Sequence, residues 1–142
     1  MSELKDRIIG GFRILQEIQS GSGSQGTVHK AECIEDVHGL TRVGEVVALK
    51  VMAVQDDAKQ QWEKLKRRTS ELSQLKHPNI VRYYGCFSEQ GPFNDIHVVV
   101  QEFLSGETLK DRLAKSKSGL DVDEGIKIAD AALSGLEYIC NS

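Results

Sequence analysis

Three glycines, in the run Gly21-Ser22-Gly23-Ser24-Gln25-Gly26-Thr27-Val28, sit between two stretches of alternating polarity. Before them, Phe12 to Ile18 carries apolar residues at Phe12, Ile14 and Ile18; after them, Thr27 to Ile34 alternates again. A period of two on both sides of a tight glycine turn predicts a β-hairpin. Glycine lacks a Cβ, so the backbone N–H groups of such a loop can approach a phosphate chain closely. A dinucleotide-binding or Walker-type loop opens a helix whose N-terminus faces the phosphate, and no helical pattern follows here. Two readings remain, a glycine loop lying over phosphates and a flexible Gly/Ser linker, and the pattern alone does not separate them.

The 142 residues suit one domain with a real core rather than two. A net charge of −3 leaves no basic surplus for neutralising nucleic-acid phosphates. Lys64, Lys66, Arg67 and Arg68 cluster, as a solvated helix face does. Cys33, Cys86 and Cys140 are far apart and form no C-x-x-C, so neither a disulfide framework nor a zinc site is expected, and a reducing cytoplasm is the natural location. His29 and Cys33 lie four apart with nothing nearby to complete a metal-ligand set. Residues 1–10 have no signal-peptide core, and the longest apolar run, Val98-Val99-Val100, is far too short to span a membrane.

Beyond the hairpin, Glu45 to Met52 is dense in β-formers and predicts a third strand. Its Lys50, flanked by apolar residues, fits an edge strand or a snorkelling side chain. From Asp56 to Lys76 the period becomes helical, with Trp62, Leu65, Thr69, Leu72 and Leu75 on one arc. Arg68 projects into that arc, Glu63 away from it, and Glu71 onto its flank. His77-Pro78 ends the helix. Ile80–Phe87 and Ile96–Phe103 predict two more strands about a turn at residues 88–95. After Ser105-Gly106 a short helix spans Thr108–Lys115, and a longer one starts at Asp121, a suitable cap with Glu124 three residues on. Val122, Ile126, Ala129, Leu133, Leu136 and Cys140 form an apolar stripe meant for burial. The fold class is α+β: a five-stranded antiparallel sheet with one inserted helix, a connector, and two helices.

This order of motifs resembles the eukaryotic-type protein kinase family, including its bacterial serine/threonine members. Gly21 to Val28 resembles its Gly-rich loop, Val47-Ala48-Leu49-Lys50 its V-A-I-K strand, and His77-Pro78-Asn79-Ile80-Val81 the segment after helix C. Val99 to Leu104 is similar to the fifth strand and hinge, and Leu136-Glu137-Tyr138-Ile139 to the end of the helix preceding the catalytic loop. The resemblance implies a lead-in at 1–11, an N-lobe at 12–101 containing helix C, a hinge at 102–107, and the start of a C-lobe at 108–142. It implies ATP and Mg²⁺ as cofactors and a protein hydroxyl as the substrate of a complete domain. Gly21, Gly23 and Gly26 would cover the triphosphate, Val28 and Ala48 would pack the adenine, and Lys50 would anchor phosphate oxygens. The Glu102 carbonyl and Leu104 amide would read the adenine edge, with Gln101 limiting the pocket's depth.

Three departures qualify the resemblance. Gln19 and Ser20 lengthen the entry to the loop, and Gln25 replaces an aromatic residue at its tip. The helix C glutamate that normally pairs with the strand lysine is replaced by Arg68, eighteen residues after Lys50. Glu71 could rotate to reach Lys50, Arg68 could itself meet a phosphate, or the chain could be a pseudokinase-like scaffold with weak nucleotide binding. Finally, the 142 residues contain neither H-R-D nor D-F-G. These residues alone are therefore expected to be catalytically incompetent, without the base or the metal ligands, and to self-associate through the apolar stripe of the last helix.

Overall fold

A computed structural model of the chain describes residues 4–19, 26–53, 58–90, 95–116 and 118–141. The chain forms two compact units, Met1–Gln74 with Arg82–Phe103, and Leu75–Val81 with Leu104–Ser142.

The first unit is a six-stranded antiparallel sheet with one helix. The strands are β1 (Ile8–Ile9), β2 (Phe12–Gln19), β3 (Thr27–Cys33), β4 (Val46–Ala53), β5 (Tyr83–Gln90) and β6 (Asp95–Glu102), in spatial order β1-β2-β3-β4-β6-β5. The five expected strands are present, joined by the two-residue β1 paired to the start of β2. Val47, Leu49 and Val51 of β4 alternate into one face of the sheet. There they meet Ile14, Ala31, Cys33, Phe87, Val98 and Val100 in the core. Full burial of an aliphatic side chain of this size contributes about 1.5–3 kcal/mol, so this face carries most of the unit's stability.

Two local expectations change. Ile18 does not join Phe12 and Ile14 in the core but is 46% exposed. The β2–β3 register shifts between Ile14 and Gln16 and again between Glu17 and Gln19. Each inserted residue exchanges inward and outward positions, which a strict alternation count does not register. Strand β5 begins at Tyr83 rather than Ile80. Before it, the Ile80 amide donates to the His77 carbonyl at 3.2 Å and the Asn79 amide to His77 Nδ1 at 3.1 Å, a turn rather than a strand. The strand then runs on to Gln90, beyond the expected Phe87.

The helix α1 spans Ala58–Leu72 and stops short of the expected Lys76. Ser73 Oγ donates to the Ser70 carbonyl at 2.6 Å, and the Gln74 amide donates to Glu71 three residues back at 3.2 Å. A serine competing for the helix's own carbonyls and a tightened last turn end the α geometry there. Trp62 and Thr69 are buried, and the Trp62 indole stacks on His97 of β6 at 3.8 Å with 4° between the ring planes. Residues 56 and 57, the expected first-turn carboxylates, lie outside the described residues.

The second unit contains α2 (Leu109–Lys115) and α3 (Val122–Cys140). Thr108 caps α2, its Oγ1 accepting from the Asp111 amide at 3.1 Å, and Asp121 caps α3, accepting from the Asp123 amide at 2.8 Å. Glu124 does not need to serve as a reciprocal cap: both of its oxygens accept from Arg112 at 3.2 Å, joining the two helices. Gly135 of α3 lets the segment at 79–80 approach, since a Cβ there would lie 3.3 Å from the Asn79 carbonyl. Tyr138 rests against the His77 ring and accepts from the Lys76 amide at 3.2 Å. The apolar stripe is not buried: Val122, Ile126, Leu133 and Leu136 are exposed, Val122 by 75%.

Candidate functional site

Strand pairing collects the sequence-predicted residues onto the face of the sheet opposite the core. Val28 pairs with Lys50 and Lys50 with Val99, making one row across β3, β4 and β6. Lys30, Ala48 and Gln101 make the next row. Because side chains alternate across a strand, Val28, Ala48, Lys50, Val99 and Gln101 share one face while Val47, Leu49, Val98 and Val100 fill the other. Ala48 and Val99 are buried yet stand outside the core cluster. The face therefore offers a small apolar floor with one cation beside it.

Lys50 lies on a central strand, with β3 on one side and β6 on the other. The edge-strand reading of this lysine is thereby removed. Its side chain is half-buried, and among the described residues no carboxylate lies within ion-pair distance of it. A part-buried ammonium on an apolar surface is short of counter-charge, and a phosphate oxygen would supply it.

Of the three loop glycines, Gly21 and Gly23 lie outside the described residues. Gly26 has φ +77°, and a Cβ there would lie 2.1 Å from the Val51 carbonyl oxygen. Only glycine fits both the left-handed backbone and that close approach. The loop thus rejoins β3 pressed against β4, one residue along from Lys50.

At the other end of the face, Glu102 is held by Arg82. Its amide donates to the Arg82 carbonyl at 2.7 Å and its carboxylate accepts from the Arg82 amide at 3.0 Å. Lys30 Nζ sits 4.8 Å from the centre of the Phe103 ring, a cation–π contact. Gln101 is half-buried, and Leu104, which belongs to the second unit, is exposed.

The helical projection of Arg68 is corrected. Arg68 is exposed, and the neighbouring Thr69 is buried at 1%. Because α1 ends at Leu72, Leu75 does not belong to its apolar arc. Without Leu75 that arc no longer reaches Arg68. Glu71 is exposed as well. We expect Arg68→Ala to leave nucleotide affinity within about twofold of the parent protein, as surface substitutions away from a site usually do; isothermal titration with Mg·ATP checks this.

Two histidines each bury a ring nitrogen; the sequence points to His29 only as a metal ligand beside Cys33 and gives His97 no role. His29 is 2% exposed, with Nε2 2.7 Å from Thr27 Oγ1 and Nδ1 buried without a partner among the described residues. His97 shares Nδ1 with Ser88 Oγ at 2.9 Å, and its Nε2 is likewise buried and unpartnered. Burial pushes both below the usual histidine range; Glu17 partly offsets this at His29, as Asp95 does at His97, where Lys66 adds to the lowering. The inward parity of Thr27, His29 and Ala31 on β3 was the available signal for His29.

Both folded-state values lie below the unfolded one, so the unfolded chain binds more protons as the pH falls. Their contribution is complete above about pH 6.5 and is lost as pH falls from there through the lowered folded values. Thermal melts should show a fall in Tm between pH 7 and 5 that is smaller in His29→Gln. An unchanged slope in that variant would contradict the assignment.

No group of three or more His, Cys, Asp or Glu among the described residues could hold a metal ion. The described thiols of Cys33, Cys86 and Cys140 are free, and burial raises that of Cys86 above its usual value, against a smaller effect of Lys66. No described helix is long and apolar enough to cross a membrane.

Residues 14–142 match the family model described as protein tyrosine and serine/threonine kinase. The chain is 34% identical over 129 residues to serine/threonine-protein kinase Tao of Drosophila melanogaster, covering 90% of this chain and 11% of that protein. It is 28% identical over 128 residues to serine/threonine-protein kinase 1 of Arabidopsis thaliana, covering 90% and 14%. With wall-associated receptor kinase 1 of the same plant it shares 32% over 124 residues, covering 86% and 15%. The chain thus spans only about a seventh or less of the length of each.

Proposed function

Because the chain belongs to the protein tyrosine and serine/threonine kinase family, we propose that its sheet binds the nucleotide from which a kinase draws its phosphoryl group. The observation that carries this reading is Lys50, placed without a carboxylate partner among the described residues on the same face as Val28, Ala48 and Gln101. In this reading Lys50 neutralises phosphate oxygens, and Gly21, Gly23 and Gly26 cover the chain of phosphates. Val28 and Ala48 pack the adenine, Gln101 bounds its depth, and the Glu102 carbonyl and Leu104 amide read its edge. Mg²⁺ enters with ATP, held by the phosphates, since the described residues offer no ligand set for it.

H-R-D and D-F-G are absent from the 142 residues. Phosphoryl transfer to a protein hydroxyl therefore needs groups that these residues do not supply. The residues present bind and orient the donor, and they act in a reducing cytoplasm. Heating the chain with and without Mg·ATP tests this. At ten times Kd the ligand adds about 1.4 kcal/mol, roughly 4 °C in Tm. No shift at millimolar Mg·ATP would favour a second reading, a pseudokinase-like binding module. The arginine at the position of the helix C glutamate is the observation behind it.

The exposed stripe on α3 supports self-association of this chain. A patch of aliphatic side chains this continuous is driven to pair. Sedimentation should show mass rising with concentration, and Leu133→Lys with Leu136→Lys should return the chain to a monomer. A monomer at all concentrations in the parent chain would refute the pairing.

A further inference from the structure

We infer that Lys30 is a positioning residue for base selection: held over the Phe103 ring, it fixes the peptide group between Glu102 and Phe103, whose carbonyl tells adenine from guanine. The inference rests on the nucleotide reading above and gives a task to a residue which that reading leaves without one.

The carbonyl belongs to Glu102, the last residue of β6. A planar peptide group takes its orientation from the residues at its two ends. One end is fixed twice over. The Glu102 amide donates to the Arg82 carbonyl at 2.7 Å, and the Glu102 carboxylate accepts from the Arg82 amide at 3.0 Å. At the other end the strand pairing has stopped, and no ladder bond holds Phe103. There the half-buried Phe103 ring meets Lys30, whose Nζ lies 4.8 Å from its centre.

Lys30 reaches this ring from β3, two strands away. It pairs with Ala48 of β4, which pairs with Gln101 of β6, so it stands in the row that would floor the adenine. An ordinary surface ion pair does not account for it. Glu32 stands two residues along on the same face, yet among the described residues no carboxylate lies within ion-pair distance of Lys30. Nor is the side chain spread in water, being half-buried. The attraction of its ammonium for the ring face is what places it. The contact ties the chain beyond β6 back across the floor to β3.

Adenine carries an amino donor at N6 where guanine carries an O6 acceptor. A fixed carbonyl pairs with the first and confronts the second with another acceptor, leaving both unpaired. The preference lasts only while the carbonyl cannot turn aside. Release of Phe103 frees one end of its peptide group, and the penalty against guanine shrinks. Lys30 also attracts any triphosphate, but ATP and GTP carry the same one, so that effect cancels in the ratio of their affinities.

The test is titration calorimetry of the 142-residue chain with Mg·ATP and with Mg·GTP, for the parent, Lys30→Met, Lys30→Arg, Phe103→Leu and the double variant Lys30→Met with Phe103→Leu. The parent should prefer ATP. Lys30→Met should lower the ATP-to-GTP affinity ratio about threefold, the size of one partly exposed cation–π contact. Phe103→Leu should lower it equally, and the double variant no further, because all three remove the same contact. Lys30→Arg should keep the parent ratio, since a guanidinium also stacks on aromatic faces. Equal weakening of both nucleotides in Lys30→Met, a parent that binds ATP and GTP alike, or additive losses in the double variant would each overturn the positioning role and leave the nucleotide reading standing. A parent chain that binds neither nucleotide would overturn that reading and this role with it.

Discussion

Replacing Lys50 with alanine should abolish the stabilisation of this protein by Mg·ATP while leaving the melting of the free protein nearly unchanged. The side chain is half-buried on the face opposite the core. Truncation therefore removes little packing and no ion pair among the described residues. A charge-assisted hydrogen bond contributes about 1.5–3 kcal/mol, which corresponds to roughly a 10- to 150-fold loss of affinity. Lys50→Arg separates charge from shape. Its planar fork cannot reproduce a point contact from the same Cα position, so it should recover only part of the binding. Equal nucleotide stabilisation in Lys50→Ala and the parent chain would remove this lysine from the site.

Gly26→Val should be the most damaging change near the loop, and its damage should reach the free protein. A left-handed backbone costs about 1–2 kcal/mol for an L-residue, more for a β-branched one. The new Cβ would also start 2.1 Å from the Val51 carbonyl oxygen. Relief requires the exit of the loop to lift off β4, breaking the pairing of Thr27 with Val51. A total of about 3 kcal/mol is the expected order, seen as a lower urea midpoint at unchanged slope. Gly39, with φ +69° and nothing within 4 Å of its Cβ position, supplies the comparison. Gly39→Val should cost only the backbone part. Equal losses at the two positions would show that the approach to Val51 is unimportant.

The elements of this fold were legible because their signals are local. Alternation marked β3, density in β-formers marked β4, the period of α1 was plain, and the cap of α3 stood in the sequence as Asp121. Less was legible wherever a count had to run unbroken. Two bulges in β2 carried Ile18 to the outside, and an early end to α1 took Leu75 out of the arc that had drawn Arg68 inward. At the site, parity within each strand was enough to align Val28 with Lys30 and Ala48 with Lys50. That β4 lies between β3 and β6 was not available, because pairing between strands almost fifty residues apart leaves no periodic trace. The burial of His29 was not legible for a related reason: its neighbours are Thr27 on its own strand and Glu17 across a bulged pair.

The stack of Trp62 on His97 gives the molecule a built-in optical probe. Trp62 is the chain's one tryptophan, so all indole emission comes from the point where α1 touches β6. An imidazolium lying flat on the ring accepts an excited electron far better than a neutral imidazole. Emission should therefore dim as His97 gains its proton and brighten when the helix lifts away from the sheet. Light from a single residue can thus follow, in unlabelled protein, both the protonation of one histidine and the seating of α1 on the sheet.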